Sequence, residues 1–299
     1  MTGAGSGDVV IDIEDSFLTA PSTPDPHRLG RNPTVDQSQI ENNPTELSQD
    51  GEIESVESLT GRFNGRLTVS SYVSATTQGY LFDYLFNANG EFVRGVRPPT
   101  ARVYEGVNYY DGTVEKEWVG CIPLSYGLSW DGDQLRQTVE LGAAGVKRNT
   151  SLSFSSPTGP ALGSTVPFHG FDLSVDGTSV QDLQQAELSI DNIAQFQTGT
   201  QRTPTDVSMA KPTTSLSAEA ILQGPGRLEA ALGGSAATEV QDYVATRPAT
   251  IDLEAQSGPV ATLNLAGVTP ATYDWADVIG ESDTTDPVDY QVTGGVSIA

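Results

Sequence analysis

GCIPLSYGLSWDGDQLRQTVELG, which spans residues 120–142, contains two runs of alternating apolar and polar residues with Asp131-Gly132 between them. Alternation with a period of two is typical of a strand that buries one face. Asp-Gly between two such runs is a strong hairpin signal, because both residues tolerate the positive φ of a type I′ turn. The stretch therefore predicts a β-hairpin.

A second stretch, residues 171–192, has the same pattern. FDLSVDGTSVQDLQQAELSIDN places Asp176-Gly177 between two alternating runs and predicts a second hairpin. Shorter alternating runs occur before and after both stretches. We therefore expect a fold that is mainly β with short helices (β+α) and antiparallel sheets.

Two segments are predicted to be short helices. In residues 77–89, the apolar residues Tyr80, Leu81 and Tyr84 recur at helical spacing, which indicates an amphipathic helix packed on a sheet. The second predicted helix covers residues 236–246. Each lies between segments with strand patterns.

The order strand, short helix, strand, strand occurs over residues 52–148 and again over 166–299. Ser, Thr, Gly and Pro dominate residues 149–165, which we expect to be a polar linker loop. The shared order suggests two tandem copies of one β unit. Residue identity between the halves does not by itself demonstrate a duplication.

Residues 1–51 are polar and rich in proline, and only Val9–Ile13 has the pattern of a strand. A segment of this composition does not form a core by itself. We expect an extended N-terminal arm that becomes ordered against a neighbouring molecule, or alternatively a disordered tail. Deleting it is predicted to leave the rest of the chain folded.

The charge balance is strongly acidic, with 39 Asp and Glu against 15 Lys and Arg and a net charge of −24. Such self-repulsion is tolerated best in concentrated salt, where the Debye length falls to roughly 3 Å at 1 M. The composition favours a protein of a halophile; an acidic secreted protein is the alternative. It argues against sequence-specific nucleic-acid binding, which needs basic patches, but not against passive contact with DNA.

Histidine and cysteine are too few to form a recognisable chemical site. Cys121 is the only cysteine and lies in an apolar strand pattern, so we expect a small core residue with no disulfide. His27 and His169 have no metal-ligand spacing around them. Neither is predicted to bind a metal.

Acidic residues cluster in two places but match no known cation loop. Asp131 and Asp133 flank a glycine, and Asp283, Asp286 and Asp289 follow one another closely, without the alternation and distant Glu of an EF-hand. No nucleophile elbow or phosphate loop occurs. We predict no enzyme activity and no catalytic, cofactor or metal residues. The sequence leaves open a catalytic pair of carboxylates that are distant in the chain but meet in the fold, as in glycoside hydrolysis.

We expect no secretory leader, because residues 1–16 lack a basic start and a long apolar run, and no run approaches the roughly 20 apolar residues of a membrane span. The sequence therefore predicts no membrane partner.

Three segments resemble the tail tube (major tail) proteins of tailed phages. Residues 120–145 resemble the family's Gly-Cys strand and hairpin, and residues 60–86 resemble its early strand and helix. Residues 167–192 resemble a later strand pair that ends in Asp-Asn, here Asp191-Asn192, although Ile193 follows instead of a second Asn. The likeness covers roughly residues 52–299. The acidic surface and the N-terminal segment depart from common bacterial members and point to a virus of haloarchaea.

The resemblance implies a structural virion protein, made in the host cytoplasm and located in the tail. Its antiparallel sheets would join between subunits into a β-barrel ring. Stacked rings would form a tube through which double-stranded DNA passes without sequence-specific binding, with other tail proteins at the tube ends. Two tandem units imply three chains per ring, and a single tube-forming unit implies six.

The lumen wall is expected to include Ser125, Ser129 and Gln137, whereas Tyr104 and Trp118 are expected in the core.

Two other functions fit the composition. A virion surface or receptor-binding β-module, or a secreted acidic β-rich adhesin, would be a monomer or a small closed oligomer. An acidic secreted hydrolase would need a leader and a pair of carboxylates in a cleft.

Overall fold

The computed structural model shows a mainly β protein with antiparallel sheets, and the residues that it describes are 7–47, 55, 57–86, 90–92, 96–109, 111–149, 157–279 and 283–299. The strands in these ranges are β1 Gly7–Ile13, β2 His27–Arg28, β3 Arg31–Glu41, β4 Thr45–Leu47, β5 Glu57–Leu59, β6 Asn64–Tyr72, β7 Ala101–Tyr109, β8 Gly112–Trp130, β9 Leu135–Ala143, β10 Gly145–Asn149, β11 Phe171–Val175, β12 Thr178–Ser179, β13 Leu183–Asp191, β14 Ala194–Gln197, β15 Asp206–Met209, β16 Thr213–Ile221, β17 Arg247–Ala255, β18 Gly258–Tyr273 and β19 Thr285–Ile298. The helices are α1 Ala75–Leu85 and α2 Gly226–Leu232, with a 3₁₀ turn at Phe168–Gly170.

Residues 7–149 form a first set of strands, which pair in the order β1–β7–β8–β9–β6–β3, always antiparallel. Strand β2 pairs with β1, and the hairpin β4–β5 lies in the chain between β3 and β6. Strand β10 follows β9 and pairs with the first half of β8. We call these strands, together with α1, the first unit.

Residues 171–299 repeat this pairing. Their strands are ordered β11–β17–β18–β19–β16–β13, again antiparallel. Strand β12 pairs with β11 as β2 does with β1, and the hairpin β14–β15 lies between β13 and β16. The last residues of β19 pair with the first half of β18, as β10 does with β8. These strands and α2 are the second unit.

Two irregularities of the pairing occur at equivalent places in both units. The register of β7 on β8 shifts between Ala101 and Val103, and that of β17 on β18 shifts between Arg247 and Ala249. A further shift follows Pro123 in β8 and Pro270 in β18. Proline lacks the N–H that a regular ladder needs, which suits it to a bulge.

The matching registers align residues 120–126 of β8, GCIPLSY, with residues 267–273 of β18, GVTPATY. The two segments share Gly, Pro and Tyr at the same positions. Gly120 has a φ of +59°, which favours glycine, and a Cβ on Gly267 would come within 2.5 Å of Thr246. The repeat is therefore visible in residues that the backbone geometry requires.

The prediction of an extended arm over residues 1–51 is wrong for residues 7–47. Strand β1 pairs along its whole length with β7, and β3 pairs with β6 of the same chain. Val9, Val10 and Ile11 are buried in the core. The segment has a polar composition because β3 keeps one face at the surface, and a strand with a partner needs only a few apolar residues. The rest of the predicted arm lies outside the described residues.

The first unit therefore begins at β1 and not at residue 52. Of the predicted linker, residues 150–156 lie outside the described residues, and residues 157–165 contain only isolated bridges to His27 and Ser74.

The first helix is confirmed over residues 77–85; residues 87–89 of the prediction lie outside the described residues. The second prediction is wrong, because residues 236–246 form no helix and α2 precedes them. The GRLEAAL sequence of α2 consists largely of good helix formers. Gly233, with φ of +134°, ends the helix by donating to the carbonyls of Glu229 and Ala230.

The hairpin over residues 120–142 is confirmed as β8–β9, but its turn is not type I′. Trp130 and Leu135 pair across a four-residue loop, in which Gly132 has a positive φ. The carboxylate of Asp131 accepts hydrogen bonds from the backbone N–H of Asp133 and Gln134 at 3.1 and 2.8 Å. An aspartate that bonds its own loop in this way makes the longer turn favourable.

In the second stretch, both Asp176 and Gly177 have positive φ, 54° and 70°, as a type I′ turn requires. The hairpin is short, however, because β11 pairs with only two residues of β12. The residues that follow form β13, which pairs with β16 and β8 instead of β11. The prediction of one hairpin over residues 171–192 is thus correct for its first part only.

Candidate functional site: a polar sheet face and two strand edges

The two units are joined edge to edge. Ala186–Asp191 of β13 pairs antiparallel with Ser125–Trp130 of β8, so this half of β8 has a neighbour on each side. Ile190, in the middle of the junction, is fully buried. The hairpin β14–β15 adds an apolar contact, since Phe196 and Val207 pack with Ile122 of β8.

This junction makes one continuous surface of eight strands, in the order β3–β6–β9–β8–β13–β16–β19–β18. Burial alternates in the second half of β8: Tyr126, Leu128 and Trp130 are buried, whereas Ser125 and Ser129 are not. Directly opposite residues of paired strands share a face. The surface therefore has one apolar face toward the core and one polar face.

The apolar face of the first unit is covered by α1. Phe82 packs edge-on against Tyr126 with ring centroids 6.0 Å apart, and the Tyr84 hydroxyl donates to the Cys121 carbonyl at 3.0 Å. Cys121 and Trp118 are buried, as predicted, whereas Tyr104 is only half-buried.

Hydroxyl and acidic side chains dominate the polar face, with few basic ones. Its acidic residues include Glu41, Glu140, Glu187, Asp191, Glu219 and Asp289, and its basic residues include Arg66 and Arg136.

Hydrogen bonds hold several of these acids in place. Arg66 pairs with Glu140 at 3.0 Å, and the Thr272 hydroxyl donates to Asp289 at 2.6 Å. Hydrogen bonds from Thr272 and Ser217 lower the pKa of Asp289. This carboxylate is therefore ionised at neutral pH and adds to the negative charge of the face.

Two of the three predicted wall residues lie on this face. Ser125 and Ser129 do, but Gln137 does not: it pairs with Leu128 and points into the core. Its amide donates to the Ser71 hydroxyl at 3.3 Å and its carbonyl accepts from the Tyr126 hydroxyl at 3.3 Å. A polar residue in an alternating run looks like a surface residue until its buried partners are known.

At each end of the eight-strand surface, a strand has one unpaired edge. In the described part of the chain, β3 pairs only with β6, and no strand pairs with the outer edge of β18 beyond Val268. Side chains at these edges are exposed although they are apolar: Ile40 is 45% exposed and Trp275 is 47% exposed.

The candidate ligand residues do not converge. Asp286 is buried and pairs with Arg227 at 2.8 Å, while Asp289 points to the polar face and Asp283 lies before β19. His27 stacks on Tyr80, with ring centroids 3.8 Å apart. Within the described ranges, no three His, Cys, Asp or Glu side chains come together as a metal site would require.

A cavity of about 530 Å³ opens in the second unit, on the side where α1 covers the first. Arg227 and Arg247 line it together with Val268, Pro270 and Tyr290. Burial raises the pKa of Asp286 in its wall, and Arg227 opposes that shift. Besides the ion pair of Arg227 with Asp286, the lining includes Asp176 and the hydroxyl side chain of Ser179.

Sequence reasoning missed the strand edges, although a signal for them exists. QIEN at residues 39–42 and SIDN at residues 189–192 end equivalent strands, β3 and β13. The first lies in the segment predicted to be an arm, where no strand was expected.

No protein-family model matches the chain, and no curated protein matches it significantly. None of the helices in the described ranges is long and apolar enough to cross a membrane.

Proposed function

We propose that the protein is a structural subunit that assembles with copies of itself into rings and, by stacking of rings, into a tube of the kind that forms viral tails. One observation carries the proposal. Two units of the same strand order are already joined edge to edge in each chain, and within the described ranges one edge at each end of the eight-strand surface has no partner strand.

A junction of this type uses different surfaces on its two sides. Repeating such a head-to-tail contact between copies gives a ring if the rotation closes, and an open filament if it does not. An unpaired edge is a hazard for a monomer and an advantage for a subunit that is completed by its neighbour. With two units per chain, a ring of three chains would contain six units.

The polar face is suited to line the channel of such a tube. If this face lines the channel, its ionised carboxylates repel the phosphates of double-stranded DNA, and its few basic side chains offer little attraction for them. The DNA would then slide without adhering. The net charge of −24 adds to this and fits assembly in concentrated salt.

Negative-stain electron microscopy of the purified protein in molar salt tests the proposal. We expect rings or stacked tubes with a central channel. A surface-binding module would instead give monomers or small closed particles, and a strictly monomeric protein at all concentrations would refute the proposal. Labelling of virion tails by antibodies against the protein would establish its location.

A further inference from the structure

The junction inside the chain specifies how the next copy binds. We propose that residues Thr272–Ala276, at the outer edge of β18 and just after it, pair with a second copy. Their partner there is the outer edge of β3, residues Gln37–Glu41. The pairing would have the antiparallel register of β8 with β13. This inference rests on the proposed self-assembly and adds to it the identity of the two edges and their register.

The equivalence of the two edges to the internal junction follows from the strand registers. Thr272 is opposite Asp289 as Ser125 is opposite Glu140, in each case one step after the proline bulge. Ala276, after the end of β18, is bridged to Thr285 in the same register in which Ser129 of β8 is paired with Arg136 of β9. Residues 272–276 thus correspond to residues 125–129, which are the part of β8 that β13 covers.

On the other side of the junction, β3 corresponds to β13. Glu41 is opposite Asn64, the first residue of β6, just as Asp191 is opposite Thr213, the first residue of β16. Asp191 pairs with Ser125 in the internal junction. Transfer of that register places Glu41 opposite Thr272 of the next copy, Ile40 opposite Tyr273, and Gln39 opposite Asp274.

Burial distinguishes the occupied junction from the proposed one. Ile190 and Leu128, in the internal junction, are 0% and 2% exposed. Their counterparts Ile40 and Trp275 are 45% and 47% exposed. Apolar side chains that the internal junction buries are thus open to solvent at the free edges, where a second copy would bury them.

The hairpin β4–β5 offers a second contact for the next copy. Its counterpart β14–β15 packs Phe196 against Ile122 in the first unit. The residue of the second unit that corresponds to Ile122 is Thr269, and within the described residues no hairpin covers it. Leu47 and Leu59 of β4–β5 are exposed at 38% and 47%.

A backbone link beside the junction has an open counterpart as well. Ile298 of the second unit donates to the Gly90 carbonyl, which follows α1 in the first unit. The matching segment after α2 contains Val240 and Tyr243, which are 80% and 87% exposed. Two contacts of the internal junction thus have exposed counterparts, and exposed apolar side chains lie in the segment that takes the place of the third.

Cysteine cross-linking tests the register directly. Gln39→Cys is introduced in one preparation and Asp274→Cys in another, and the two are mixed at a salt and protein concentration that favours assembly. Directly opposite residues of antiparallel strands have Cα atoms about 4.5–5.5 Å apart, which suits a disulfide. The native thiol of Cys121 is buried, and burial raises its pKa, so it competes little.

We expect oxidation, or a short bismaleimide, to give covalent dimers in the mixture and not with either variant alone. The double variant Gln39→Cys/Asp274→Cys should give a ladder of oligomers. Gly127→Cys/Ser189→Cys, the equivalent pair of the internal junction, is the positive control and should cross-link within one chain. Gln37→Cys mixed with Thr272→Cys, which is shifted by four residues from the register, should stay uncross-linked.

The outcomes separate the inference from the proposed function. Rings or tubes without cross-linking of the matched pair, or with cross-linking of the shifted pair, would overturn the inference and leave the proposed function standing. Dimers from one single-cysteine variant alone would indicate a symmetric contact and would also overturn it. Cross-linking of the matched pair without rings or tubes would support the interface and count against the proposed function.

Discussion

The two units have the same strand order and register but differ in what covers them. In the first, α1 buries Leu81, Phe82, Tyr84 and Leu85 against the sheet, and β13 covers the edge of β8. In the second, α2 has no buried residue, a cavity of about 530 Å³ lies beside it, and the edge of β18 is open. The two units thus share a backbone plan but differ in cover: within the described residues each has one unpaired edge, at β3 and at β18, and a cavity lies in the second unit where a helix covers the first.

The largest effect is expected from removing the N-terminal strands of the first unit. Deletion of residues 1–47 eliminates β1 and β3, together with the buried Val9, Ile11 and Leu29. We expect a chain with no cooperative thermal transition, because β7 and β6 each lose a partner strand and the core loses its cover. Circular dichroism and calorimetry measure this; a cooperative transition like that of the full chain would show that these strands are an accessory.

Next in size is the difference between equivalent isoleucines. Ile190→Ala should cost about 2–5 kcal/mol of unfolding free energy, because it leaves a cavity at a fully buried site. Ile40→Ala, at the exposed counterpart, should change the unfolding free energy of the unassembled chain by less than about 0.5 kcal/mol.

Urea denaturation measures both isoleucine variants, and sedimentation velocity measures their assembly. Ile40→Ala should weaken assembly although the fold is unchanged. A large loss of stability in the monomer at Ile40 would contradict the difference between the two edges.

Raising the salt concentration should increase the stability and the assembly of the whole molecule by a moderate amount. The net charge of −24 repels itself in the folded state, and raising salt from about 0.1 M to about 1 M shortens the Debye length from about 10 Å to about 3 Å. We therefore expect the melting temperature to rise with sodium chloride, and assembly to strengthen because two acidic edges approach each other. A melting temperature that falls between these concentrations would show that self-repulsion does not limit the stability of the folded chain.

The smallest effect concerns Asp286, whose counterpart in the first unit is Gln137. Burial raises the pKa of Asp286, so the folded state holds its proton more readily than the unfolded state does. An aspartate in the unfolded chain titrates at about pH 4. As the pH rises from there through the raised pKa of the folded state, the free energy of unfolding of the wild type should fall relative to that of Asp286→Asn.

Urea titrations of the wild type and Asp286→Asn over this pH range measure the difference, which already includes the attraction of Arg227 because that attraction acts only on the ionised carboxylate. A difference that stays constant with pH would show that Asp286 is not perturbed.

Local sequence patterns predicted much of the structure. The alternating runs around Asp131-Gly132 and the helical spacing of Tyr80, Leu81 and Tyr84 depend on residues close in the chain, and both elements are present. The β+α class with antiparallel sheets follows from the same periodicities. Whether the acidic composition reflects a salt-rich environment and a tail tube stays a prediction.

Only the tertiary structure showed where β3 belongs, which face Gln137 occupies and that β13 leaves β11 to join the first unit. The physical reason is that strand pairing and burial depend on partners distant in sequence. Alternation tells that a strand has two different faces, but neither which face is covered nor which strand lies beside it. The open edges at Ile40 and Trp275 belong to this second kind of information, since exposure of an apolar residue is a property of the folded chain alone.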